Sequence, residues 1–245
     1  MTAAIFASQQ PAFRGGGVPA WVRPGALVDL DMANERYWIT GTGLVDVEDA
    51  LEENLDTGAT FSPSDIVSTI GLTTGAVGGA TGANIGPVLT AAAFSAAYNN
   101  GFCAVIEYSV TSTGAIPGDG YVSVFLTATN LPAYNTSFVI GPYIAAGGQS
   151  IYTQALETTA DEAAAGAFNK VATNADATTG DIILSYLGAA VPAAAEVGDY
   201  SAIDSVWLGL TIVKSGGNFT GTATISRATF YPPMDQTELN ALTAP

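Results

Sequence analysis

The chain has 245 residues, of which 48% are hydrophobic and only 11% are charged, and its formal net charge is −16. This acidity argues against binding to nucleic acid or to anionic membranes, because both require a basic surface. The sequence contains no histidine, which removes Ser-His-Asp and Cys-His catalysis and the usual zinc sites. Its single cysteine, Cys103, excludes an internal disulfide.

The first 28 residues are predicted to form an extended arm, because repeated prolines and glycines prevent a long regular element. Phe6, Phe13 and Trp21 are spaced along the arm as apolar anchors, while Arg14 and Arg23 give it a positive charge with no acid. The acidic excess therefore lies entirely in the rest of the chain. We expect the arm to dock on an acidic partner through these five residues; a flexible terminus with two incidental arginines is the alternative.

The next two elements are a strand or hairpin and a helix. Residues 27–41 alternate well enough to predict the strand or hairpin, with a turn in the middle. Residues 45–55 are the strongest helix candidate, because Val47, Leu51 and Leu55 lie on one helical stripe with acidic neighbours around them. A domain boundary is expected near residue 58. It would separate an attachment region of residues 1–58 from a sandwich domain of residues 59–245.

Most of the remaining chain predicts short β-strands, several of them separated by glycine-bearing turns. The predicted strands are 60–70, 102–110, 121–129, 137–144, 149–156, 167–173, 181–186, 205–214 and a closing strand that runs from residue 219 to the prolines at 232 and 233. Residues 88–98 fit a strand or a short helix equally well. The pattern indicates an all-β jelly roll or β-sandwich with an extended N-terminal arm and one or two short helices.

The end of the chain predicts a strand, a sharp stop and a helix. Residues 219–226 place threonine and serine on one face and apolar residues on the other. Two consecutive prolines then end the strand, because proline cannot donate to a ladder. Asp235 or Thr237 can cap the helix that follows, with Glu238 near its positive end. A strand this late in the chain must pair with distant strands.

Two segments carry a family resemblance. The closing segment, 225–243, reads ISRATFYPPMDQTELNALT: an arginine-containing strand that ends in Tyr-Pro, then a short helix of the form acidic-x-x-Glu-Leu-x-x-Leu-Thr. The earlier segment, 30–41, reads LDMANERYWITG. In order and position both resemble the closing and opening segments of concanavalin-A-like jelly-roll domains in bacteriophage structural and tail-fibre proteins. They cover about 30 of the 245 residues, and neither is a catalytic motif.

The resemblance implies a non-enzymatic structural protein on the surface of a tailed-phage virion, made in the host bacterial cytoplasm. A head decoration, cement protein or head fibre would be held by its arm against the capsid or neighbouring virion proteins. A homo-oligomer is expected, since trimers are common among such proteins. The alternative is a receptor- or glycan-binding module of a tail fibre, which would contact a host-surface glycan.

Three tyrosines are the candidate glycan contacts. Tyr134, Tyr143 and Tyr152 lie on either side of a Gly-Gly turn, where aromatic rings beside small polar residues can hold a sugar. The commoner alternative is that such alternating aromatics belong to a core or an interface.

No cofactor and no metal ion are expected. The loop 174–181 offers oxygen ligands at alternate positions, with Asn174, Asp176 and Asp181 as weak metal candidates, but its glycine stands one place late for an EF-hand loop and the glutamate is missing. A glycosidase needs two carboxylates, and Glu107 is the only acid within a convincing core strand. The sequence therefore favours a protein that is not an enzyme.

Overall fold

The structure is a computed structural model. It describes residues 17–52, 66–67, 71–74, 84–85, 87–112, 120–127, 138–145, 148–153, 156–158, 169–176, 182–191, 205–212 and 221–245. These residues contain eighteen strands, three α-helices and a 3-10 turn. The strands are β1 (Val28–Asp31), β2 (Arg36–Ile39), β3 (Gly43–Val45), β4 (Leu51–Glu52), β5 (Ile66–Val67), β6 (Gly71–Thr74), β7 (Asn84–Ile85), β8 (Val88–Leu89), β9 (Gly101–Ser112), β10 (Gly120–Thr127), β11 (Phe138–Ala145), β12 (Gly148–Thr153), β13 (Leu156–Thr158), β14 (Asn169–Asp176), β15 (Ile182–Tyr186), β16 (Ala189–Val191), β17 (Ser205–Ile212) and β18 (Gly221–Tyr231). The helices are α1 (Val47–Ala50), α2 (Ala91–Ala97) and α3 (Gln236–Thr243), and the 3-10 turn is Met32–Asn34.

The strands form two sheets, in which every pairing between described strands is antiparallel. The first sheet has the order β16-β15-β14-β9-β18-β1-β2-β3, and β6 joins β18 to β5. The second has the order β13-β12-β11-β10-β17-β8-β4, with β7 beside β17. The last strand, β18, lies between β9 and β1, so the first sheet is closed by contacts between distant parts of the chain, as predicted.

The main apolar core lies between the two sheets. Leu30, Phe102 and Phe230 enter it from the first sheet, and Leu51 and Leu208 enter it from the second; each of these side chains is at most 1% exposed. Two antiparallel sheets that share one core form a β-sandwich. The predicted all-β sandwich is therefore confirmed.

The first sheet is also covered on its outer face. There Cys103 and Tyr231, from β9 and β18, pack in a second apolar cluster. Val22, from the segment before β1, and Leu239, from α3, also belong to this cluster. Burial raises the pKa of the Cys103 thiol, which behaves as a small buried apolar group.

A β-bulge in β18 decides which side of the sheet Arg227 occupies. The register with β9 shifts between Ile225 and Arg227. Ile225 lies in the main core, and strict alternation would place Arg227 there as well. The extra residue instead returns Ala228 and Phe230 to the core. Arg227 thereby lies on the outer face, a re-aiming of side chains that is typical of bulges.

The predicted helix over residues 45–55 is wrong in its extent. β3 ends at Val45, one helical turn covers Val47–Ala50, and the chain then enters β4 at Leu51. Leu51 is fully buried and pairs with Leu89 of β8. Residues 45–55 therefore form a tight connection between strands of the two sheets. The pairing and burial of Leu51 override the weak local preference for a helix.

The region around the proposed domain boundary contributes strands to both sheets. β1, β2 and β3 belong to the first sheet, and β4 belongs to the second. Residue 58 itself lies outside the described residues.

None of the described helices has the length and apolar character needed to cross a membrane.

The closing helix α3 begins as expected. Asp235 Oδ1 accepts hydrogen bonds from the backbone N–H groups of Thr237 and Glu238 at 2.8 and 2.9 Å. The Glu238 carboxylate accepts in return from the Asp235 backbone N–H at 3.1 Å. This capping box satisfies donors that a helix start leaves free. Leu239 packs α3 against the outer face of the first sheet.

Candidate functional site

The candidate site is one face of the second sheet, and strand register defines it. Residues paired across neighbouring strands lie on the same face, and successive residues of a strand alternate between faces. Val206 and Leu208 of β17 are 1% and 0% exposed and belong to the main core. Their register partners on β10 are Leu126 and Val124, so these positions share the core face.

The register continues without a shift from β17 through β10, β11 and β12 to β13. It therefore assigns every position of these strands to one face. Positions on the core face are mostly aliphatic: Val122, Val124, Leu126, Ile140, Pro142, Ile144, Ile151, Leu156, Val206, Leu208, Leu210 and Ile212, with Phe138, Gly120, Gln149, Thr153 and Thr158.

The opposite face has a different composition. Its positions are aromatic, small or hydroxyl-bearing, with a single acid: Tyr121, Ser123, Phe125, Thr127, Val139, Gly141, Tyr143, Ala145, Gly148, Ser150, Tyr152, Glu157, Ser205, Trp207, Gly209 and Thr211. We call this set of positions the aromatic face.

The aromatic positions are clustered by the register. Tyr121 is the direct partner of Tyr143, and Phe125 is the direct partner of Trp207. Tyr152 pairs with Gly141, which places it diagonally from Tyr143. Direct partners in an antiparallel pair lie about 5 Å apart, and four residues along a strand span about 13 Å. The cluster is thus long enough for several linked sugar rings.

Glycines lie among the aromatic positions. Gly141 is opposite Tyr152 on β12, and Gly209 is opposite Ser123 on β10. A glycine within a strand weakens the strand and often marks a place where another molecule approaches the backbone closely. Glycine beside aromatic and hydroxyl-bearing positions is a combination suited to a flat, partly apolar ligand.

The predicted glycan contacts fall partly on this face. Tyr143 and Tyr152 share it, whereas Tyr134 lies outside the described residues. The sequence interpretation missed Tyr121, Phe125 and Trp207. These residues alternate with aliphatic residues within each strand. The alternation indicates a shared face only when the register between the strands is known.

A charge network lies on the other sheet, centred on Asp29 of β1. Asp29 is fully buried. Its carboxylate accepts hydrogen bonds from Arg227 Nε at 2.8 Å, from the Arg23 backbone N–H at 2.8 Å and from the Thr229 hydroxyl at 3.1 Å. Arg227 also donates to the Trp21 carbonyl oxygen at 2.8 Å. Burial alone would lower the pKa of Arg227, but Asp29, with smaller contributions from Asp31 and Tyr231, outweighs that effect, and the pKa lies above its usual value.

The network extends to the segment before β1. Arg36 donates to Asp31, with Nε 3.1 Å from Oδ2, and its guanidinium lies 4.8 Å from the centre of the Trp21 ring. Arg23 forms an ion pair with Glu107 of β9. Burial, together with repulsion from Arg227, lowers the pKa of Arg23. These contacts attach Trp21 and Arg23 to the outer face of the first sheet.

The predicted docking residues of the arm are therefore placed as follows. Trp21 and Arg23 contact their own chain, and the acid that Arg23 contacts is Glu107 rather than a partner's group. Phe6, Phe13 and Arg14 lie outside the described residues. A role for the five residues in partner binding stays a prediction.

The weak metal candidates are also partly placed. The Asn174 side-chain oxygen accepts a hydrogen bond from the Met234 backbone N–H at 2.7 Å, in a buried position. Asp176 ends β14, and Asp181 lies outside the described residues. Within the described part of the chain, no group of three Asp, Glu or Cys side chains could hold a metal ion.

No family model and no curated protein matches the sequence. Solved structures do match. Trypanosoma rangeli sialidase in complex with sialic acid aligns over 95% of this chain at 15% identity with a TM-score of 0.53, and the alignment covers 34% of the sialidase, about a third of its length. Ruminococcus gnavus IT-sialidase CBM40 bound to α2,3 sialyllactose aligns over 71% of this chain and 98% of its own, at 20% identity and a TM-score of 0.45. The likeness to the Trypanosoma rangeli sialidase concerns the fold, and it agrees with the β-sandwich described above.

Proposed function

We propose that this protein is a glycan-binding β-sandwich module that holds an oligosaccharide against the aromatic face. The observation that carries the proposal is the register of β10, β11, β12 and β17, which gathers Tyr121, Phe125, Tyr143, Tyr152 and Trp207 on the face opposite the core. Sugar rings have apolar C–H faces that pack on aromatic rings, and their hydroxyls exchange hydrogen bonds with serine and threonine.

The module binds without turnover in this proposal. Hydrolysis of a glycosidic bond needs two carboxyl groups about 5–10 Å apart. Glu157 is the single acid among the described positions of the aromatic face. Glu107, the acid that the sequence singled out, lies on β9 of the first sheet and pairs with Arg23. The sialic acid and sialyllactose complexes belong to the two sialidase structures, and a shared fold by itself does not transfer a ligand.

The first prediction concerns two tyrosines of the aromatic face. We expect the full-length protein to bind oligosaccharides on a glycan array, and Tyr143→Ala and Tyr152→Ala each to weaken binding about 10- to 100-fold, because an aromatic anchor contributes about 1–3 kcal/mol. Affinities of the array hits are measured by isothermal titration calorimetry.

The control for this prediction is Tyr98→Ala. Tyr98 stacks on Phe94 beside helix α2, away from the aromatic face, with ring centres 5.4 Å apart. Tyr98→Ala should bind glycans as the unchanged protein does. A full array without a hit, or equal binding by the unchanged protein and the Tyr143→Ala and Tyr152→Ala variants, would contradict the proposed function.

We further propose a setting for the module on a tailed-phage virion. Support comes from the two segments that resemble phage jelly-roll proteins, 30–41 and 225–243. They are far apart in sequence but adjacent in the sheet, where Leu30 pairs with Ala228. The first residues of the chain would anchor the module to capsid or tail proteins, in a homo-oligomer.

The virion proposal predicts that the protein binds capsids or tails stripped of it and that a variant lacking residues 1–16 does not. The deletion stops at residue 16 because Trp21 and Arg23 contact Arg227 and Glu107 of the first sheet. Circular dichroism checks that the shortened protein is folded. Equal binding by both forms would remove the arm as the anchor, and binding by neither to heads or tails would remove the virion setting.

A further inference from the structure

We infer that the ligand of the aromatic face is a neutral glycan rather than one that carries sialic acid, uronic acid or sulfate. The inference rests on the proposed glycan-binding function and names its ligand class. Its basis is the charge of the face: none of its described positions is lysine or arginine, and Glu157 is opposite Tyr152 in the register of β12 and β13.

The basic residues of the described chain are engaged elsewhere. Arg23, Arg36 and Arg227 are paired with acids on the outer side of the first sheet. Lys170 of β14 donates to the Ala244 carbonyl oxygen at 3.2 Å. The chain has six basic residues in all, and the other two, Arg14 and Lys214, lie outside the described residues. The described cations therefore belong to the sheet that does not carry the aromatic face.

An acidic sugar would meet an unfavourable field on this face. Carboxylates and sulfates are held most strongly by charge-assisted hydrogen bonds from arginine or lysine, and the face supplies none at its described positions. The net charge of −16 adds a repulsion that salt screens only in part. The affinity for neutral sugars is not reduced by this field, because aromatic packing and hydroxyl hydrogen bonds need no cation.

The test compares matched pairs of glycans. Each neutral glycan that binds on the array is titrated beside its acidic counterpart, with lactose against 3′-sialyllactose and galactose oligomers against galacturonate oligomers as the first probes. We expect the neutral member to bind at least about tenfold more tightly at low salt, and the gap to narrow at about 0.5 M NaCl.

Two variants locate the origin of the discrimination. Glu157→Gln should reduce the preference for the neutral member, while Glu48→Gln, which makes the same change of net charge at an exposed position of α1, should not.

The outcomes separate the two levels of the proposal. Tighter or equal binding of the acidic member, still lost in Tyr143→Ala, would overturn the neutral-ligand inference and leave the aromatic face as the binding site. The absence of binding to both members of every pair would overturn the proposed function, and the inference with it.

Discussion

The Asp29→Ala variant is expected to lose about 3–5 kcal/mol of the free energy of unfolding. Asp29 is fully buried and accepts from Arg227, Thr229 and the Arg23 backbone. Removal of the Asp29 carboxylate leaves the charge of Arg227, which is only 15% exposed, without its main partner. The Thr229 hydroxyl and the Arg23 backbone N–H also lose their acceptor. Loss of one member of a buried ion pair costs far more than the pair itself contributes, because the remaining charge stays desolvated.

Urea unfolding followed by far-ultraviolet circular dichroism measures this loss. Glu48→Gln, an exposed acid on α1, is the control and should change stability by less than about 0.5 kcal/mol. The double variant Asp29→Ala with Arg227→Met should cost less than the sum of the two single variants, because neither charge is then left alone. A loss below about 1 kcal/mol for Asp29→Ala would show that the network does not hold the first sheet together.

The Gly101→Ala variant is expected to lose about 2–4 kcal/mol. Gly101 begins β9 with φ +125°, a backbone conformation that is strained for every residue other than glycine. A Cβ at this position would lie 2.2 Å from the Ala175 carbonyl oxygen on β14, a distance that forces the paired strand to move. Backbone strain of about 1–3 kcal/mol and the cost of overpacking then add together.

Two other glycines separate these causes. Gly41 has φ +78°, but a Cβ added there would have nothing within 4 Å, so Gly41→Ala should show the cost of backbone strain alone. Gly17 has neither a positive φ nor a close neighbour, and Gly17→Ala should change stability by less than about 0.5 kcal/mol. Equal losses in Gly101→Ala and Gly41→Ala, measured by urea unfolding, would show that the close approach of β14 carries no cost.

The parts of the fold that depend on local pattern could be predicted from the sequence. The alternation of residues 219–226, the two prolines and Asp235 indicate a strand, its end and a capped helix, and β18 and α3 form there with only small differences at their ends. The short strands separated by turns likewise predict a β-sandwich.

The parts that depend on distant contacts could not be predicted. The partner of Arg227 is Asp29, 198 residues earlier, and the bulge that brings them together has no signature in the alternation of the strand. The helical spacing of residues 45–55 was misleading for a related reason: Leu51 is held by pairing with Leu89, which the local sequence does not contain.

The candidate site illustrates the same limit. Tyr143 and Tyr152 stood out because they flank a glycine turn. Trp207 lies in β17, within the almost continuous apolar run of residues 206–213, a pattern that is typical of a strand buried on both sides. Only the register with β10 separates Leu208 and Leu210 of the core face from Trp207 of the aromatic face.

The most direct test of the glycan-binding account is amide chemical-shift mapping by NMR, with the neutral oligosaccharide that binds most tightly on the array titrated into the full-length protein. We expect the largest shift changes on β10, β11, β12 and β17, centred on Tyr121, Tyr143 and Trp207. Changes concentrated instead on β9, β14 and β18 of the first sheet would contradict the assignment of binding to the aromatic face.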